Sequence, residues 1–248
     1  MPWNPEIYNQ FKNIRYKPFF DLSDLIKDEK PMKAIDLGCG TGEQTAILAE
    51  KFPEAVFIGI DSSAEMLEQS KSLENERLHF RQETTEEILK SDEKWDLIFS
   101  NAALQWSDNH QKLFPELISK LNCNGQLAIQ MPYQPGNILN QILSEMSNEE
   151  PFRTQLNGWN RPSSVLTIDE YVQILFENGI DDLNIFQKVF PSSRKIMKRY
   201  LISFRDLHSF PIWKDFQRMS RKLLRQNLNK GFRKISQSFQ QFILSKEF

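Results

Sequence analysis

Three of the nine glycines in this 248-residue chain fall within five positions, Gly38-Cys39-Gly40-Thr41-Gly42. The cluster follows the apolar run Ala34–Leu37 and precedes a segment with Ala46, Leu48 and Ala49 at helical spacing. Glycine permits positive φ and lets a ligand approach the backbone closely. The first turn of a helix adds unpaired N–H groups and a positive dipole, which suit an anionic group. Strand, glycine loop and helix in that order predict the opening of a βαβ unit with a ligand-facing turn.

The alternation continues along the first half of the chain. A second strand, Ala55–Ile60, ends at Asp61, and Ser62-Ser63-Ala64-Glu65 reads as a capping box opening a helix with Met66, Leu67 and Leu73. Leu78–Arg81, Trp95–Ser100 and Gln126–Met131 are the next strands. Ser107-Asp108-Asn109 supplies turn chemistry before a helix over His110–Leu121, with Pro115 near its start. Strands alternating with helices imply crossovers and a parallel sheet. Asp61, at the end of the second strand, is placed as acidic residues are that bind ribose hydroxyls in nucleoside-binding sheets.

Beyond Pro132 the pattern changes. Residues 138–146 carry apolar side chains at helical spacing, and 147–166 read as an irregular connection. Thr167-Ile168-Asp169-Glu170 is a second capping box, and its helix stops at Gly179. Leu183–Phe190 alternates like a strand. Two amphipathic helices split by Pro211 follow, and Phe239–Leu244 reads as a closing strand.

Composition narrows the class. Forty per cent apolar and 26 per cent charged residues fit a soluble globular chain. A net charge of −2 gives no reason to expect nucleic acid or an anionic membrane as partner. That total hides a partition: residues 194–234 hold thirteen Lys and Arg against two Asp, while the remainder holds 18 basic and 31 acidic residues. Cys39 and Cys123 lack CxxC spacing, and there are three scattered histidines, His79, His110 and His208. A disulfide framework or a zinc site is not expected from these, nor any other metal, and the expectation is a reduced, cytoplasmic protein. No apolar stretch approaches the roughly 18 residues of a membrane span. The first twenty residues lack the charged-then-apolar layout of a secretory signal.

The dinucleotide fingerprint G-x-G-x-x-G needs its third glycine three residues after the second. Here the spacing is G-x-G-x-G, with Asp36 two residues before Gly38. That pattern resembles motif I of the class I S-adenosylmethionine-dependent methyltransferases. The alternative is a tight strand-to-helix turn without a ligand. Within those methyltransferases the chain resembles the trans-aconitate methyltransferase family in four stretches. They are Trp3-Asn4-Pro5-Glu6-Ile7-Tyr8 with Phe11 and Arg15; the motifs Asp36–Gly42 and Ile60-Asp61-Ser62-Ser63; Leu97–Trp106, with its Asn-Ala…Gln-Trp; and Leu127–Pro132, with its Gln-Met-Pro. Together they cover roughly residues 3–135. Ile185-Phe186-Gln187-Lys188 and residues 199–207 depart from the family's later segments.

The resemblance implies an α/β, Rossmann-like, seven-stranded class I methyltransferase sheet with helices on both faces and a helical cap between the last two strands. The expected organisation is an N-terminal helical arm over the cofactor (1–30) and a cofactor-binding domain (31–190) with an insertion at about 137–166. A basic helical cap (191–236) and a closing strand (237–248) complete it. It also implies S-adenosylmethionine as cofactor and a small anionic carboxylate as substrate, such as trans-aconitate, methylated to an ester. The expected cofactor residues are Trp3, Tyr8, Arg15, Asp36, Gly38, Cys39, Gly40, Gly42, Asp61, Ser62, Met66, Glu83, Thr84, Asn101 and Ala102. Gln105 and Trp106 are expected at the methyl-transfer site, and Arg161, Arg199 and Arg205 are candidates for clamping the substrate's other carboxylates. A carboxylate with a pKa near 4 already has a free lone pair at neutral pH, so no general base is needed. His110 reads as a helix-start residue.

Two other functions share these features. One is the malonyl-acyl-carrier-protein methyltransferases, which need a basic face for an acidic carrier protein. The other is a cofactor-binding protein without turnover. A base-modifying nucleic-acid enzyme fits less well, since Ser100-Asn101-Ala102-Ala103 stands where such enzymes often carry Asn/Asp-Pro-Pro-Tyr.

Overall fold

The structure, a computed structural model, describes residues 16–27, 32–133, 141, 144–145, 147–150, 152–155 and 163–188. Five parallel strands form one sheet: β1 (Lys33–Leu37), β2 (Val56–Asp61), β3 (Leu78–Gln82), β4 (Trp95–Asn101) and β5 (Leu121–Gln130). Their order is β3-β2-β1-β4-β5. The order reverses at β1, so the chain leaves β1 and β4 on either side of a switch point, where open α/β sheets bind ligands. The helices are α1 (Glu43–Lys51), α2 (Ala64–Ser70), α3 (Thr85–Lys90), α4 (His110–Ser119) and α5 (Ile168–Glu177).

The central strands are mostly apolar, with Asp36 and Ser100 as buried polar exceptions, because both faces of the sheet are covered. On one face Ala34, Phe57, Leu78, Leu97 and Phe99 pack with Leu48, Ala49 and Phe52 of α1 and its cap. A helix over 16–23 adds Tyr16 and Phe19 to that cluster, and the Phe19 ring meets Phe99 edge-on at 5.9 Å. On the other face Ile35, Leu37, Ile58, Ile60 and Ile98 pack with Leu113, Phe114 and Leu117 of α4 and Tyr171 and Leu175 of α5. The alternation along β1 and β2 assigns these faces: odd and even side chains go to different layers.

Most predicted elements form, with shifts that have local causes. The cap of α2 is Ser63, whose side chain accepts from the Met66 N–H, and Ser62–Glu65 forms no box. Asp61 Oδ1 accepts the Ser63 N–H at 2.8 Å, so the carboxylate takes over the turn and the helix starts one residue later. β5 begins at Leu121, which pairs with Trp95, and the register then jumps to Leu97↔Gln126. Residues 122–125 bulge there, with Asn124 at φ 63. Their turn composition made the strand look shorter. The box Thr167–Glu170 closes both ways and α5 ends before Gly179 at φ 83.

Residues 183–188 form no strand among the described residues. Their alternation is nonetheless physical, since Leu183 and Ile185 pack on the core while Phe186 is exposed. The closing strand at 239–244, the cap helices at 191–236 and most of the 137–166 insertion lie outside the described residues. The unit holding the sheet comprises residues 4–132 and 163–188. In the second unit, Phe152–Gln155 forms a short helical stretch with Phe152 buried. Among the described residues no helix is long and apolar enough to cross a membrane.

Candidate functional site

The loop after β1 is built on left-handed glycines. Gly38, Gly40 and Gly42 have φ of 74°, 58° and 75°. The N–H groups of Gly38 and Cys39 both donate to Ile60 O at 2.9 Å, and Gly40 N–H donates to Asp61 Oδ2 at 3.0 Å. The loop is therefore tied to the end of β2, and Gly42 caps α1. A Cβ on Gly38 would stand 2.3 Å from the Ala103 Cβ, so the loops after β1 and β4 touch. Around Gly40 nothing stands within 4 Å of an added Cβ, leaving open space over the loop.

Asp36 is buried on the α1 face, where Thr45 Oγ1 donates to its Oδ2 at 2.6 Å. Burial pushes its carboxyl up to about 7; the Thr45 bond opposes this and the nearby Asp61 charge adds to it. The Cys39 thiol is likewise pushed up, by burial first and then by Asp36 and Asp61. Asp61 accepts from Gly40 on one oxygen and from Ser63 on the other, which fixes the carboxylate yet leaves lone pairs on both.

After β3 the two neighbouring candidates separate. Thr84 caps α3: its hydroxyl accepts the Glu87 N–H and donates to Glu87 Oε2, so it is committed to the helix. Glu83 Oε2 is buried without a hydrogen-bond partner. After β4, Asn101 Nδ2 donates to Gln44 Oε1 at 2.9 Å, while its Oδ1 is buried and unpartnered. Gln44 and Thr45 are positioning residues that sequence reasoning missed; both sit in the first turn of α1, where proximity to the loop was the available signal. Three of the four unpartnered buried side-chain atoms among the described residues, on Glu83, Asn101 and Gln105, belong to segments at the carboxyl edge of the sheet. The fourth, Trp95 Nε1, is on the first residue of β4.

The segment after β4 is bent. Ala102 has φ 55, its N–H donates to Gln130 O, and Gln105 Nε2 donates to Ala102 O at 2.7 Å. Gln105 is buried and braces this turn. Trp106 is 46 % exposed, so it is not a core residue. Met66 is 41 % exposed on α2, and Ser62 is exposed beside Asp61. His110 is buried, with Nδ1 2.6 Å from the Tyr171 hydroxyl and Nε2 2.9 Å from Leu104 O. Burial lowers its pKa. With both nitrogens occupied it has no free lone pair for a substrate proton. Trp3, Tyr8, Arg15, Arg161, Arg199 and Arg205 lie outside the described residues. No group of three or more His, Cys, Asp or Glu among the described residues can hold a metal ion.

Glu83, Asp61, the Gly38–Gly42 loop and Asn101 thus stand at the carboxyl ends of four adjacent strands, β3, β2, β1 and β4, across roughly three strand spacings or about 14 Å. An elongated ligand with donors at one end and an anion and a cation at the other matches such an edge. Residues 28–179 match the model of the methyltransferase domain family. A trans-aconitate 2-methyltransferase of Deinococcus radiodurans is 40% identical over 197 residues, covering 77% of this chain and 74% of that protein. The chain belongs to the trans-aconitate methyltransferase family. It is an S-adenosylmethionine-dependent methyltransferase by that membership. An Enterobacter member named trans-aconitate 2-methyltransferase is 35% identical over 180 residues, covering 72% of this chain and 68% of that one. Among solved structures, an S-adenosylmethionine-dependent methyltransferase from Listeria monocytogenes shares the fold with a TM-score of 0.52 and 19% identity, over 67% of this chain and 81% of that one. A plantazolicin methyltransferase solved with S-adenosylhomocysteine (TM-score 0.50, 17% identity) covers 87% of this chain and 85% of its own.

Proposed function

We propose that this family member binds S-adenosylmethionine along the carboxyl edge of its sheet and forms a methyl ester on a small polycarboxylate, with trans-aconitate as the leading acceptor. The observation that carries the cofactor part is the run of buried, unpartnered acceptors beside a glycine loop that leaves open space. Native structures rarely leave such atoms unpaired without a ligand or water. When bound, the cofactor supplies an electrophilic methyl group on a sulfonium. Asp36 stands for its cationic end, the first-turn N–H groups of α1 after the Gly38–Gly42 loop for its carboxylate, and Asp61 for ribose hydroxyls. Glu83 accepts a donor at the base, since the Thr84 hydroxyl is committed elsewhere, and Met66 offers an apolar contact there.

The acceptor reading rests on the names of the relatives and on the kind of chemistry the site can perform. Transfer to an ionised carboxylate needs position and exclusion of water rather than proton removal. A locked, depressed His110 suits that requirement. Trp106 presents its ring on the acceptor side, and Gln105 holds the turn that carries it. On sequence grounds, Trp3, Tyr8 and Arg15 close over the cofactor, and Arg161, Arg199 and Arg205 hold the distal carboxylates. The same proposal includes a sheet completed by the segment at 239–244 and a basic cap over 191–236.

Calorimetric titration with S-adenosylhomocysteine tests the cofactor half. Saturable binding is expected, weakened at least about a hundredfold by Asp61→Ala, which removes two loop-organising acceptors and a ligand contact. Unchanged affinity in that variant would remove Asp61 from the site.

A further inference from the structure

The Leu104–Trp106 turn carries the acceptor-side residues, yet the hydrogen bonds that close it are local. Trp106 N–H donates to Ala103 O, Ser107 N–H to Leu104 O, and Gln105 Nε2 to Ala102 O. A second set runs outward from it. His110 Nε2 is 2.9 Å from Leu104 O, His110 Nδ1 is 2.6 Å from the Tyr171 hydroxyl, and that hydroxyl accepts the Leu166 N–H at 3.2 Å. One assignment of protons satisfies every atom. Nε2–H donates to the carbonyl, the tyrosine O–H donates to Nδ1, and the phenol oxygen accepts from Leu166. The other tautomer would set the Nε2 lone pair against the Leu104 oxygen.

Packing fixes both rings in this relay. The Phe114 ring is 5.6 Å from His110 and 4.7 Å from Tyr171, centroid to centroid. Tyr171 lies in the first turn of α5, whose start is set by the reciprocal Thr167–Glu170 box. We infer that His110 and Tyr171 are positioning residues, which hold the Leu104–Trp106 turn in register with α5 and so set the placement of Trp106 toward the methyl acceptor. The inference rests on the proposed carboxyl methyltransferase reading only for what the turn positions; the relay itself does not depend on it.

Tyr171→Phe removes one hydroxyl and keeps the ring packing, and His110→Gln keeps an amide N–H in place of Nε2–H. In the ligand-free protein, amide hydrogen exchange of peptides spanning 102–109 is expected to rise about tenfold in Tyr171→Phe, as loss of the hydroxyl's bond to His110 allows. Peptides of β1 to β3 should stay unchanged. With cofactor and trans-aconitate, the acceptor KM should rise about tenfold while the Kd of S-adenosylhomocysteine stays within about twofold. His110→Gln should recover part of both effects relative to His110→Phe. A rise in exchange spread evenly over the chain, or a lowered Tm with exchange at 102–109 and acceptor KM unmoved, would overturn the inference. If the wild-type protein makes no ester, the functional reading fails, and the exchange measurement still decides the relay.

Discussion

Asp36 combines full burial with a single strong donor, Thr45, and its carboxyl is pushed up to about 7 against an unfolded value near 3.8. Between those values the folded, ligand-free protein binds the extra proton. Its stability therefore falls as pH rises from about 4 to about 7, at up to roughly 1.4 kcal/mol per unit from this group. A cation placed beside Asp36 favours the ionised form, so ligand binding near neutrality releases a proton. Affinity for S-adenosylhomocysteine is expected to fall as pH drops below about 7. Calorimetry in two buffers of different ionisation enthalpy should show a fractional proton released near pH 7, lost in Asp36→Asn. Identical heats in the two buffers would show that Asp36 does not face the charged end. Along this edge Gly38 and Asp61 were legible in the sequence from spacing and strand position, and Asp36 from the resemblance to motif I of the methyltransferases. The division of labour between Glu83 and Thr84 was not, since only the structure shows the Thr84 hydroxyl spent on Glu87.

At the scale of elements, the glycine loop separates two demands. Gly38 at φ 74 presses on Ala103, and Gly40 at φ 58 faces open space. Gly38→Ala adds left-handed strain and a steric overlap, together about 3 kcal/mol, and should lower Tm and cofactor affinity alike. Gly40→Ala costs only about 1–2 kcal/mol of backbone strain, yet its methyl enters the space above the loop. Its affinity for S-adenosylhomocysteine should fall at least tenfold with a smaller loss of Tm. Thermal melts and titrations on both variants check the split, and equal ratios of stability loss to affinity loss would contradict it. Elements with strong local signals, such as the Thr167–Glu170 box and the β1 and β2 runs, form where the sequence places them. Elements decided by tertiary partners shift: Asp61 displaces the α2 cap, and the β5 bulge hides a strand start inside turn-forming residues. At 183–188 alternation reported burial correctly while strand pairing, which needs a neighbour, did not follow.

For the molecule as a whole, periodicity and one glycine cluster were enough to expect a parallel sheet, and the pairing of the five described strands bears that out. The charge partition has a different status. Thirteen basic residues against two acidic ones in 194–234 form a region that would attract an anionic acceptor, but sequence alone does not assign which arginine meets which carboxylate. The acceptor is thus the part of the account that composition and pattern reach least. Mass spectrometry of trans-aconitate incubated with the protein and S-adenosylmethionine tests it most directly, beside a panel of di- and tricarboxylates and a carrier-bound malonyl thioester. The account predicts a monomethyl ester of trans-aconitate that disappears with Asp61→Ala. S-adenosylhomocysteine binding intact but no ester on any free acid, or ester only on the carrier-bound thioester, would contradict it.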